Sequence, residues 1–123
     1  MTRFFKVADI GRLQYLNGNV EYGEADGKSM LPDGWIAEAT RKQVDTTRPG
    51  YGYGYQWWIW EDGTYMARGI FGQGIFIDPK RKLVIASNSN WPQATDLQGG
   101  DQDKKRSAFY KQVQLAVDRE AKL

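Results

Sequence analysis

The sequence predicts an α+β fold: an antiparallel sheet of about four strands, a C-terminal helix packed on it, and two helices before it. Three observations predict it. Residues 53–60 alternate in period two and end at Asp62-Gly63, a strong hairpin signal. Two more short extended runs follow, at 75–77 and 83–87, set off by Gly72, Gly74 and Asp78-Pro79. Phe109, Val113, Ala116 and Val117 then fall at i, i+4, i+7 and i+8, the spacing of one buried helical stripe.

The first helix is expected over about 7–16. Ile10, Leu13 and Leu16 share a face, and Asn17-Gly18 supplies the stop. A loop with Gly23 and Gly27 follows. Pro32 suits the first turn of a second helix, with Trp35, Ile36 and Ala39 as its buried side. Residues 45–52 are rich in turn formers, and the pattern changes there from helical to extended. This divides the chain into 1–44, a remnant of a helical domain, and 45–123, part of a sheet domain. The first strand puts Tyr53, Tyr55, Trp57 and Ile59 on one face, and a second runs over 64–70. Asp78 is read as a turn residue before Pro79. Residues 91–103 are polar and irregular, and the last helix starts near 103. One helix covers one sheet face, so the aromatic face is left without a partner. The short N-terminal helices have nothing to complete a bundle. The chain is therefore expected to be a piece of something larger.

Composition removes several chemistries. The 123 residues include no Cys and no His. There is thus no disulfide, no thiolate nucleophile, no imidazole base and no His or Cys ligand for zinc. No cofactor or metal is expected. A net charge of +2 is too small to argue for nucleic acid. The basic runs Lys80-Arg81-Lys82 and Lys104-Lys105-Arg106 are read as a solvated turn and a solvated helix start. No segment reads as a signal peptide, and apolar runs such as 83–86 fall far short of the roughly 20 residues of a membrane span. Aromatic residues are abundant at 14%, so the rings need a packed core or a binding wall.

Three stretches carry a resemblance. Residues 7–18, with Leu16-Asn17-Gly18, lead to Met30-Leu31-Pro32-Asp33-Gly34-Trp35. The second is Gly52-Tyr53-Gly54-Tyr55-Gln56-Trp57-Trp58. The third is Gly69-Ile70-Phe71-Gly72-Gln73-Gly74-Ile75-Phe76-Ile77-Asp78-Pro79, followed by Leu83-Val84-Ile85. In order and spacing they resemble the C-terminal part of the serine β-lactamase-like, penicillin-binding-protein-like hydrolases. Gln73 and the Trp pair lean toward the esterase and 6-aminohexanoate-dimer hydrolase branch. The resemblance implies a partial β-lactamase/transpeptidase-like fold and acyl transfer to a serine.

Such chemistry uses a Ser with a Lys one helical turn later, often a Tyr, and two backbone N–H groups for the oxyanion. Ser29, Ser87, Ser89 and Ser107 are followed three residues on by Pro32, Asn90, Pro92 and Tyr110, so the Ser-x-x-Lys pair is absent. Tyr15-Leu16-Asn17 matches the family's Tyr-x-Asn element only superficially. The Lys-Thr-Gly motif falls at Thr64-Tyr65-Met66 and is not kept, so the usual cation for a substrate carboxylate is missing. By resemblance, the Ala67 N–H is the second oxyanion donor, and Tyr65, Arg68 and Gln73 are substrate-binding candidates. Gln73 equally suits a turn, and Trp57, Trp58 and Trp60 suit the core better than the site. Gly69, Gly72 and Gly74 suit backbone bends, and Glu61-Asp62 suits an exposed hairpin tip.

Two readings follow. In the first, the chain is the C-terminal fragment of a serine hydrolase of esters or amides, inactive alone, with a small-molecule substrate in the parent. In the second, it is a non-catalytic binding or assembly module. It would then use an exposed aromatic face for self-association or for pairing with a missing N-terminal half.

Overall fold

The computed structural model of the chain describes residues 3–9, 20–21, 24–25, 28–29, 31–47, 49–96 and 100–121. Its first strands are β1 (Arg3–Asp9), β2 (Val20–Glu21), β3 (Glu24–Ala25) and β4 (Lys28–Ser29). Helix α1 (Trp35–Ala39) leads to β5 (Val44–Asp45), β6 (Tyr51–Tyr53), β7 (Trp58–Trp60) and β8 (Tyr65–Arg68). Strands β9 (Gly74–Asp78) and β10 (Leu83–Asn88) and helix α2 (Gln102–Glu120) complete the order. The class is α+β. The main sheet has seven strands, ordered β1-β10-β9-β8-β7-β6-β5, with every neighbouring pair antiparallel. A small second sheet is ordered β2-β3-β4.

The sheet is thus three strands larger than the expected four: β5 joins it by pairing with β6, and two further additions explain the rest. Residues 7–9, expected in a helix, belong to β1, where Val7 pairs with Ile85 and Asp9 with Leu83. A ladder to a strand far along the chain overrides the local helical spacing. The rest of that expected helix, 10–16, lies outside the described residues. The second addition comes from the aromatic run. Residues 53–60 form two strands and a turn rather than one strand. Gly54 N–H donates to the Trp57 carbonyl (2.9 Å), and Gln56 lies at φ +66. Gly54 cannot carry a side chain there, because a Cβ would lie 2.7 Å from the Arg41 carbonyl and 2.8 Å from that of Ala39.

The turn also splits the expected aromatic face. Tyr53 pairs with Trp58 (ring centroids 5.1 Å apart) and Tyr51 with Trp60 (5.0 Å). Trp58 and Trp60 pack against the core cluster of Met66, Phe76, Leu83, Ile85 and Tyr110. Tyr55 is exposed beside Trp35, and Trp57 meets Tyr65 edge-on.

Helix α2 covers the core. Phe109, Val113 and Val117 pack on it as the stripe predicted, while the most buried helical residues are Tyr110 and Gln114, one position round. Full burial of an apolar side chain contributes about 1.5–3 kcal/mol, and these partly buried three contribute less each. Helix α1 is shorter than its sequence suggested. Its N-cap is Gly34 at φ +75, and Pro32 precedes the helix, its carbonyl accepting from Trp35 N–H (3.0 Å). Of its expected buried side only Ala39 is buried; Trp35 and Ile36 are exposed.

The Asp62-Gly63 turn forms as expected, with Gly63 at φ +84 and its N–H donating to the Trp60 carbonyl (3.1 Å). The Asp62 carboxylate accepts from the Thr64 N–H (2.9 Å) and hydroxyl (2.7 Å), and Thr64 is buried. Asp62→Ala removes both bonds and is expected to cost about 1–2 kcal/mol. Urea unfolding checks this: the midpoint falls and the slope stays the same. An unmoved midpoint would mean that the turn forms without its carboxylate.

Candidate functional site

Strand β8 ends in a tight turn. Gly69 is extended, and its N–H donates to the Gln73 carbonyl (2.9 Å). Residues 70–72 make one 3₁₀ turn in which Phe71 lies at φ 54, ψ 27 and Gly72 at φ +81. A left-handed Phe costs about 1–3 kcal/mol and persists only where its surroundings hold it. Here the loop after β10 holds it. Phe71 N–H donates to the Ala94 carbonyl (2.9 Å), and Trp91 N–H donates to the Phe71 carbonyl (3.2 Å). The indole of Trp91 lies against Gly72, where a Cβ would come within 2.3 Å of the ring. The turn leaves Ile70, Phe71 and nearby Ile75 exposed.

A cleft of about 480 Å³ lies at this turn, lined by Ala67, Arg68, Gln73, Ile75, Ala86 and Asn88 among others. Three of the four sequence candidates, Ala67, Arg68 and Gln73, therefore meet in one place. Tyr65 does not join them; it stands opposite Ile77 with its ring edge-on to Trp57 (5.1 Å). Ser87 is the serine in the cleft lining. Its hydroxyl donates to the Gly74 carbonyl (3.3 Å) and lies 3.3 Å from the Tyr110 hydroxyl.

The ladder decides which backbone donor faces outward. Gly69 donates toward β9, and N–H groups two apart on a strand point the same way. The Ala67 N–H therefore also points into the β9 ladder, where Ile75 is its partner. The Arg68 N–H points the other way. On that side β7 has its last register partner at Trp58, opposite Met66, so among the described residues no strand pairs with the edge beyond, which is open. The outward donor is that of Arg68 rather than the expected Ala67.

The Arg68 side chain crosses to the helix face. Its Nη2 donates to both carboxylate oxygens of Asp103 (2.7 and 2.5 Å), and its guanidinium lies 5.6 Å from the Trp58 ring centroid. Asp103 also accepts from Arg106 Nη2 (2.6 Å), and Arg106 stacks over Trp91 at 4.8 Å. Asp96 accepts the Asp103 N–H (2.9 Å) at the start of α2. These residues border a second cavity of about 410 Å³, lined also by Thr46, Thr47 and Ile70. Burial and the adjacent Arg68 guanidinium push the Arg106 pKa below its ordinary value. Sequence reasoning missed this cluster, because Lys104-Lys105-Arg106 was read as solvated while the Arg106 side chain is only 9% exposed. The signal available was the Asp103/Arg106 pair, one helical turn apart. Tyr15-Leu16-Asn17 lies outside the described residues.

No helix among the described residues is long and apolar enough to cross a membrane. No protein-family model matches the chain. The chain is similar to the 6-aminohexanoate-dimer hydrolase of Paenarthrobacter ureafaciens, with 30% identity over 97 residues. The match takes in 70% of this chain and 24% of the relative, so the chain spans about a quarter of the length of the curated relative it matches.

Proposed function

We propose that this chain is the C-terminal part of a serine hydrolase that cleaves ester or amide bonds, and that it is not catalytic alone. The observation that carries this reading is the similarity to a hydrolase, together with the cleft at the end of β8. A match over 70% of the chain includes β8 and Gln73 wherever it begins. The rest of the parent supplies the serine and the lysine that takes its proton, since none of the four serines here has Lys three residues on. Attack of the serine oxygen on the substrate carbonyl places negative charge on the carbonyl oxygen. The Arg68 N–H at the open edge of β8 receives it, and loss of one such donor costs about 10²–10³ in rate. Collapse expels the alcohol or amine, and water then releases the acid. Ile70, Phe71 and Ile75 offer apolar surface for the aliphatic part of the acyl group.

The test replaces the matching quarter of the Paenarthrobacter hydrolase with this chain. The isolated chain is expected to leave p-nitrophenyl butyrate at its buffer rate. The chimera is expected to hydrolyse it and to be stopped by a serine-directed phosphonate. Phosphonate-sensitive hydrolysis by the isolated chain overturns the reading. So does a chimera that is folded by circular dichroism yet neither hydrolyses nor takes up the phosphonate.

A further inference from the structure

We propose that Trp91 is a positioning residue for the hydrolysis: its indole fixes the turn at 69–73 and so aims the Arg68 N–H at the oxyanion. The role in hydrolysis rests on the proposed function, while the hold on the turn does not.

The turn does not hold itself. Phe71 is left-handed at φ 54, and Gly72 lies at φ +81. Glycine populates both hands about equally, so nothing in Gly72 itself keeps it there. Within the turn, Gly69 N–H donates to the Gln73 carbonyl (2.9 Å) and Gln73 N–H to the Ile70 carbonyl (3.3 Å). Neither bond engages a backbone group of Phe71 or Gly72. The support for those two comes from the segment after β10. The Ala94 carbonyl and the Trp91 N–H take both backbone polar groups of Phe71, at 2.9 and 3.2 Å. The Trp91 indole takes the space beside Gly72, with Cε2 and Nε1 each 2.3 Å from where a Cβ would stand. Substitution of Trp91 keeps the backbone bonds and empties that space. Gly72, the residue freest to rotate, is then released.

The indole is itself braced. The Arg106 guanidinium lies 4.8 Å from its ring centroid, and Arg106 Nη2 donates to Asp103 (2.6 Å). Asp103 also accepts from Arg68 Nη2 (2.7 Å). These contacts close a ring. It runs along the backbone from Arg68 to Gly72, across to Trp91, on to Arg106 and Asp103, and back to Arg68. Arg68 is thus held through its chain on one side and through its guanidinium on the other. The Arg68 and Arg106 side chains are 21% and 9% exposed, so water weakens these bonds little. An oxyanion donor works at about 2.7–3.1 Å from the oxygen as it stands in the transition state. A misplacement of about 1 Å costs on the order of 10²-fold in rate. That loss falls on kcat, because the negative charge is absent from the bound substrate.

The test compares Trp91→Ala, Trp91→Phe and Trp91→Leu with the unsubstituted chimera on p-nitrophenyl butyrate and on its thiono analogue. Active sites are counted by end-point phosphonate uptake, so a smaller folded fraction does not enter kcat. Trp91→Ala is expected to lower kcat about 10–100-fold and to leave KM within about twofold. The preference for the oxygen ester over the thiono ester is expected to shrink with it, because the larger sulfur fits the donor poorly from the start. Trp91→Phe keeps a flat ring against Gly72 and is expected to recover most of the rate. Trp91→Leu has bulk without a flat face and is expected to stay slow. Should Trp91→Ala not fold, the Phe and Leu variants decide. In the 123-residue chain alone, the Ala and Leu variants are expected to speed amide exchange at Gly69 and Phe71 at least about tenfold and to leave Ile85 unchanged. In an active chimera, a Leu variant with unchanged kcat, a rise in KM alone, or an unchanged oxygen preference overturns the inference. So does unchanged exchange at Gly69 and Phe71. A folded, unsubstituted chimera without hydrolysis removes the proposed function, and with it the role of Trp91 in hydrolysis. The exchange rates then still report whether the indole holds the turn.

Discussion

Asp78→Ala is expected to cost about 3–5 kcal/mol, most of the stability of a small domain. The carboxylate is 1% exposed at the end of β9. It accepts from Arg81 N–H (3.1 Å), Arg81 Nη1 (2.8 Å) and Gln114 Nε2 (2.7 Å). Arg81 then reaches Asp118 through Nε and Nη2, both at 2.9 Å. One buried charge thus ties the β9–β10 turn to the last turns of α2. Its removal leaves Gln114 and a half-buried guanidinium without their shared acceptor. The same group sets an acid limit. Burial works against the Asp78 charge, but the Gln114 amide and the Arg81 side chain and N–H outweigh it, so its pKa is lowered. A lowered carboxylate contributes stability above the unfolded value of about 3.9, and that contribution is lost as pH falls through the folded value. Urea unfolding at pH 7 and near pH 3 checks both claims. Wild type weakens on acidification, whereas Asp78→Asn starts weaker and changes less. An Asp78→Ala midpoint equal to wild type would remove the network from the account of stability.

Gly72→Ala is expected to cost about 2–5 kcal/mol, from two separable sources. A side chain at φ +81 costs about 1–2 kcal/mol. Overpacking a filled site adds about 1–3 kcal/mol, and the Trp91 ring already occupies the place of the new Cβ. The substitution also displaces the turn that follows Arg68, so the chimera is expected to lose hydrolysis even where it folds. A double-mutant cycle with Trp91→Ala separates the two terms. The clash disappears in the double variant and the backbone cost remains. Additive single effects would show that the ring moves aside freely.

Helix α2 and the Asp62-Gly63 hairpin were legible in the sequence because each rests on residues a few positions apart. The β9 and β10 strands were legible for the same reason, with no end more than one residue wider than read. The misread segments have partners far away. The break in residues 53–60 comes from Gly54 lying against the carbonyls of Ala39 and Arg41, which no alternation within the run reveals. Strand β1 was hidden by the helical spacing of Ile10, Leu13 and Leu16, and only its pairing with β10 makes it extended. Asp78 looked like a turn residue because Gln114 and Asp118 are 36 and 40 positions further on. In the candidate site, the Gly-rich run with Gln73 located the cleft. The orientation of the Ala67 and Arg68 N–H groups depends on strand register, which a one-residue shift inverts. Arg106 was misjudged because a basic run alone does not tell which of its members turns inward.

The order of elements along the chain has a consequence for synthesis. Met66, Phe76, Leu83 and Ile85 are covered by α2, which a ribosome delivers only after every strand of the sheet has been made. Until residues 102–120 emerge, that apolar face lacks the helix that covers it here. A nascent chain stalled near residue 100 should therefore be a strong client for chaperones that grip exposed hydrophobic surface.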